Sequence, residues 1–238
     1  MDDQLAGRIV EVASSPLYAG ATRIGTLPRA LQMLGFAGTR DIAIALALGS
    51  VGRHQCVEGQ ALWRHALSTG WTCRVFARHA RGIAGDAMFV AGLLHDLGLQ
   101  ILLVLEPESM IGLATTYGTE SASFLHAEAH HFGFDHATLA GGCLRRWNLP
   151  LDAVELVDKH HLPVGGDDGL LYASPRSRAV LAVADRISGG LLGGATPADL
   201  FDLAMAHPAS ELMRIPCGDL ITALETLCEH REHVGELD

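Results

Sequence analysis

Residues 89–98 read FVAGLLHDLG, and this stretch decides the fold. Leu93, Leu94 and Leu97 fall where a helix facing a core would place them, yet His95 and Asp96 stand among them. An ionised carboxylate buried without a partner costs several kcal/mol, or its pKa climbs until it is neutral. A metal ion removes that penalty by giving carboxylate and imidazole a cationic partner at about 2 Å. The competing reading is an ordinary core in which His95 and Asp96 hydrogen-bond to their surroundings.

Outward from this stretch, apolar residues recur at three- and four-residue spacing and alternating β-type runs are scarce, which predicts an all-α fold. Helices are expected near residues 3–14, 27–34, 39–52, 58–81, 85–104, 107–117, 120–132, 135–147, 150–161, 175–192, 197–206 and 217–234. Thr39 and Asp135 suit helix N-caps, Pro107, Pro150 and Pro197 suit first turns, and Gly118 and Gly133 can end helices in the left-handed region. The segment PVGGDDGLLYASP (163–175) has the composition of a surface loop.

The chain has 238 residues, 49% hydrophobic and 18% charged, enough for one substantial core. A single domain over residues 1–238 is expected, with an N-terminal helical part (1–55), a metal-binding core (56–192) and C-terminal helices (193–238). A net charge of −10 opposes a phosphate-tracking surface, so nucleic acid is not an expected partner. Ala87 to Leu105 is long enough to span a bilayer, but His95 and Asp96 at its middle favour a buried helix, so no membrane is expected either. No secretion signal opens the chain, and five scattered cysteines without a C-x-x-C pair read as reduced core residues of a cytoplasmic protein.

Further ligand-type residues sit in helical stretches: His65 in LWRHALSTG, His136 in FGFDHATLAGG, His160 and His161 in VDKHHLP, and Asp185 in VLAVADRISGG. Together with His95 and Asp96 they suit two divalent transition-metal ions, Fe or Mn first, with Zn, Ni or Co as alternatives. Neighbours on a helix point about 100° apart, which favours Asp96 as a bridge. Asp96 is also the candidate catalytic residue of any hydrolysis. Lys159, Arg145, Arg146 and Arg186 lie close in sequence to these residues and are candidate phosphate contacts. His126 with His130, and His230 with His233 near Cys228, read as solvated helix faces, and His54, His79 and His207 need no role.

The order H…HD…H…HH…D resembles the HD-domain metal-dependent phosphohydrolases, and its arrangement resembles the HD-GYP branch. That resemblance implies His65, His95, Asp96 and Asp185 for one ion, and Asp96, His136, His160 and His161 for the other. Flanking stretches VASSPLYAG, TLPRALQMLGFAGTRDIAIALAL, ALWRHAL, FVAGLLHDLG, FGFDHATLAGGCLRRWNLP and HHLP are similar to the HDOD (HD-related output domain) proteins of bacterial signalling, from about residue 5 to residue 190. The resemblance implies an HD-superfamily helical bundle with a helical N-terminal subdomain, acting as a signalling or regulatory module with a protein partner.

Departures from the pattern shape what is implied. The GYP signature is absent after His161, which argues against cyclic di-GMP hydrolysis. Leu99 replaces a commonly found lysine three positions after the HD pair, and Ala61 stands where an acid for a third metal would be. The start resembles the middle of the family's first subdomain, so an exposed apolar patch near Leu5, Ile9 and Val12 is expected. The intact ligand set keeps a second reading open: a working phosphohydrolase acting on a nucleotide or another small phosphate ester.

Overall fold

Apolar spacing of three and four residues gives each segment one greasy face, and these faces bury one another as helix packed on helix. The computed structural model describes residues 3–19, 24–49, 56–119, 121–164, 169 and 171–235. In chain order the helices are α1 (Asp3–Ser14), α2 (Pro16–Ala19), α3 (Leu27–Gly49), α4 (Val57–His79), α5 (Gly85–Leu94), α6 (Leu97–Leu105), α7 (Pro107–Tyr117) and α8 (Ala122–Phe132). They continue with α9 (His136–Arg146), α10 (Leu151–Asp158), α11 (Pro175–Leu192), α12 (Pro197–Met205), α13 (Ser210–Met213), α14 (Cys217–Glu229) and α15 (Arg231–Gly235). The fold is all-α, with no strand among the described residues.

Helix α4 is the axis of the core, buried without interruption from Ala66 to Ala77. Its small residues permit this. A methyl group added at Gly92 of α5 would stand 2.8 Å from the Gly70 Cα, so α4 and α5 cross with backbones in contact. On another side of α4, Thr69 and the buried Ser188 of α11 share a 3.0 Å hydroxyl hydrogen bond, and Ser188 also donates to the Ala184 carbonyl. The Thr69 and Ser188 hydroxyls are thereby both hydrogen-bonded.

The expected helix over 85–104 divides in two. Asp96 takes φ −100° and ψ 17°, between α and extended geometry, and α6 restarts at Leu97 with the Leu99 N–H on the Asp96 carbonyl. The divided stretch Gly85–Leu105 is long and apolar enough to cross a membrane, but 83% of its apolar window is buried inside the fold.

Several local expectations need correction. Residues 27–34 and 39–49 form one kinked helix through Gly35 (φ 68°, ψ 170°), and Thr39 is no N-cap: inside α3 its hydroxyl donates to the Gly35 carbonyl. Residues 50–52 of that expected helix, and His54, lie outside the described residues. Pro150 precedes α10 as its cap residue, and α10 ends at Asp158, leaving His160 and His161 in the turn beyond it. The final helix breaks at His230. The exposed patch at Leu5, Ile9 and Val12 is absent: α1 lays Ile9 and Val12 into the core against α3, with Leu5 half-buried beside them. Of the five cysteines, all unpaired, Cys73 alone is fully buried and Cys217 is exposed.

Asp135 does cap α9, accepting the Thr138 N–H at 2.7 Å, and Gly118 and Gly133 end α7 and α8 at positive φ. The Asp135 cap starts α9 at His136, and the break before α6 frees Asp96, so two local stops set the two halves of the site.

Candidate metal centre

All seven residues singled out from the sequence for metal come together, in two adjoining groups. Helix α4 carries His65, the α5–α6 break carries His95 and Asp96, α9 begins with His136, the turn after α10 holds His160 and His161, and α11 supplies Asp185. Asp96 stands between the groups. Its Oδ2 lies 3.2 Å from His95 Nε2 and 3.8 Å from His65 Nε2, while its Oδ1 lies 3.4 Å from His136 Nε2 and 3.6 Å from His160 Nε2. Asp185 Oδ1 joins the first group at 2.9 Å from His65 Nε2 and 3.4 Å from His95 Nε2. His161 joins the second, its Nε2 2.7 Å from that of His136.

Three imidazoles are locked in one tautomer by what their other nitrogen meets. His95 Nδ1 lies 2.7 Å from the Gly92 carbonyl and His160 Nδ1 2.7 Å from the Val157 carbonyl, each a group that can only accept. His136 Nδ1 lies 2.7 Å from Glu128 Oε2. Each Nδ1 therefore carries a hydrogen, and Nε2 is the atom that each ring turns towards Asp96. Buried Nε2 atoms of His95 and His160 make no hydrogen bond among the described residues. Two orphaned ring nitrogens beside two carboxylates are the donor set that divalent transition metals take, and the residues fit such ions.

Charge in the protein alone is balanced by protons. Burial pulls His95 and His65 down, but Asp96 and Asp185 outweigh it and hold both above the ordinary histidine range. His136 is lifted to about 9 against burial, by its bonds to Asp96 and Glu128. Burial, with His160 and His136 close by, pushes His161 down to about 3. Burial would raise Asp96 and Asp185, yet the surrounding imidazoles hold both below the usual carboxylate range.

A polar cavity of about 440 Å³ opens over the centre, lined by Asp96, His136, His160, His161 and Asp185, and also by Arg186 and His207. Leu99 forms part of its wall and brings no charge. Arg186 is the one proposed phosphate contact found here. Lys159 instead donates to the Gly169 carbonyl at 2.7 Å and sits 3.5 Å from Glu155, Arg145 pairs with Asp158 at 3.1 Å, and Arg146 is exposed away from the cavity. Glu155 also accepts the N–H groups of Leu171, Tyr172 and Ala173, fastening the loop that follows the paired histidines.

Two contributors were not found by sequence reasoning. Glu128 is wholly buried, and its signal was its place four residues after Phe124 on the apolar face of α8. His207 gave none, since the loop after α12 reaches the cavity only through tertiary packing. His126, His130 and His131 are exposed on α8, and His230 and His233 lie at the C-terminal end of the chain, apart from both groups.

The sequence model of the HDOD domain matches residues 1–163. An uncharacterised protein of Treponema pallidum (strain Nichols) is 24% identical over 165 residues, 67% of this chain, and the chain spans only 31% of that relative. Among solved structures, an HDOD domain protein of unknown function from Geobacter sulfurreducens superposes with a TM-score of 0.70 at 24% identity, covering 100% of this chain and 83% of that one. A candidate phosphohydrolase from Shewanella amazonensis SB2B gives 0.73 at 20% identity, covering 98% and 82%. The MmoQ response regulator of Methylococcus capsulatus gives 0.59 at 21% identity, covering 92% and 84%.

Proposed function

The chain belongs to the HDOD domain family, and from that premise we propose that it is a cytoplasmic regulatory module of bacterial signalling. Its core holds two divalent transition-metal ions, Fe or Mn before Zn, Co or Ni. Over them it receives a small phosphate-containing ligand, and it passes the signal to a protein partner. The resemblance of its fold to a response regulator supports the signalling half of this reading.

The observation that carries the metal half is the pair of buried, unbonded Nε2 atoms on His95 and His160. Leaving such atoms without a partner costs roughly 1–3 kcal/mol each, and a coordinated cation is the partner their geometry fits. His65, His95, Asp96 and Asp185 would hold one ion, and Asp96, His136, His160 and His161 the other. When bound, the ions supply positive charge for the phosphate oxygens and for the two carboxylates. Arg186 adds a cationic group at the cavity wall, while Leu99, also in the wall, brings no charge.

A second reading, a phosphohydrolase, is favoured by the cavity itself, which opens onto ligand atoms of both groups. Metal analysis after anaerobic reconstitution tests the common premise, with about two ions per chain expected. Absence of bound metal overturns both readings. With metal present, turnover of a panel of phosphate esters that Asp96→Ala abolishes favours the enzyme, and occupancy without turnover favours the module.

A further inference from the structure

A second cavity, of about 430 Å³, adjoins the first and has the opposite character. Leu62 of α4, Leu103 of α6, and Met110, Ile111 and Ala114 of α7 wall it. Leu103 and Met110 are buried, whereas Ala61, Ile111 and Thr115 are exposed, so the cavity opens between α4 and α7 and deepens towards α6. His65 and Asp96 belong to its lining, and Asp96 and Thr119 belong to both cavities. An atom bonded to a phosphate held over the metal centre therefore has an apolar space beside it.

The lining also says what does not enter. Among the described residues no lysine or arginine lines this cavity, and beside His65 and Asp96 its one further ionisable side chain is the Glu58 carboxylate at the exposed side. Among these residues a polyphosphate tail would meet no lysine or arginine, and it would meet the repelling Glu58 carboxylate. An uncharged aliphatic or aromatic group would bury its surface, at a size ordinary for a small-molecule site. Ala61, one turn before His65 on α4, leaves this space open because its side chain is a single methyl group.

We infer that the ligand is an amphipathic phosphate ester or phosphonate: its anionic head lies over the metal centre and its single uncharged apolar arm lies in the α4–α6–α7 cavity. This inference rests on the metal-centre reading above. It assigns Ala61, Leu62, Leu103, Met110 and Ala114 to selecting the arm, a task distinct from holding the head.

Calorimetric titration of the metal-reconstituted full chain tests it with inorganic phosphate and methyl-, butyl- and hexylphosphonate. Full burial of one methylene strengthens binding about fourfold and of three about 60-fold, so butylphosphonate, even with its chain only partly buried, should bind about tenfold or more tighter than methylphosphonate. Ala61→Trp and Ala114→Phe, which fill the cavity from opposite walls, should bring the hexyl-to-methyl ratio close to one. Gln60→Trp, exposed and outside the lining, should keep the parental ratio. A flat chain-length series in the parent overturns the inference and leaves phosphate binding at the centre intact. A parental ratio in either cavity-filling variant that melts like the parent overturns it equally. Failure of metal-loaded protein to bind phosphate or methylphosphonate overturns the reading of the centre, and the inference with it.

Discussion

The Nδ1–H of His136 donates to Glu128 at 2.7 Å, and that carboxylate has no exposed surface. The same oxygen accepts the His136 backbone N–H at 3.3 Å, so one side chain of α8 sets both the start of α9 and the ring that begins it. Partners of this kind fix the ring and raise its basicity as a ligand. Glu128→Ala should weaken metal binding about 10- to 100-fold. Glu128→Gln keeps an acceptor and should lose less. Competition against a coloured chelator measures both, and equal affinity in Glu128→Ala and parent would remove Glu128 from the site.

Asp96 faces both groups of imidazoles, so Asp96→Ala should empty the whole centre and not half of it. Bound metal stabilises by about 4 kcal/mol when held at a thousand times its Kd. Chelator should therefore lower the melting temperature of the parent and leave that of Asp96→Ala unmoved. A full ion still bound to the variant would contradict the bridging role.

Gly98 is where α6 meets α9, and a methyl group there collides with the His136 carbonyl. Gly98→Ala should cost about 1–3 kcal/mol in urea unfolding and reduce metal content, since the clash moves His136. Gly142, in the same α9 with open space around it, gives the contrast. Gly142→Ala should be neutral or stabilising by up to about 1 kcal/mol, because alanine is the better helix former. Like behaviour of the two variants would count against the close approach.

The metal-free protein should respond to pH with a definite sign. His136 titrates at about 9 when folded, against about 6.5 unfolded, so folding takes up protons between these values. Its contribution, on the order of 3 kcal/mol, is fully present below about pH 6.5 and is lost as pH rises through about 9. His95 is displaced in the same direction. Metal and proton compete for these rings, so metal affinity should rise over the same window. Urea unfolding in chelator at pH 6 and pH 9.5 checks this, and stability that is flat or rising would refute it.

Much of the architecture was readable because helical periodicity is local: α1, α7 and α11 have the boundaries that spacing and caps suggested. The α5–α6 break was not, since LLHDLG continues a helical pattern and only packing around Asp96 interrupts it. Burial of Ile9 and Val12 escaped for a related reason. An amphipathic helix announces an apolar face, but nothing in its own residues says that α3 covers it.

Apolar spacing by itself determined the fold class, and the order of histidines and aspartates, with the stretches that flank them, determined the family likeness. Only the tertiary structure decided that Glu128 orients His136, that Arg186 and not Lys159 lines the polar cavity, and that an apolar cavity adjoins it. The division has one physical cause. Periodicity and capping are interactions among residues a few positions apart, whereas a cavity and a ring's second hydrogen bond are made by helices that meet only when the core closes.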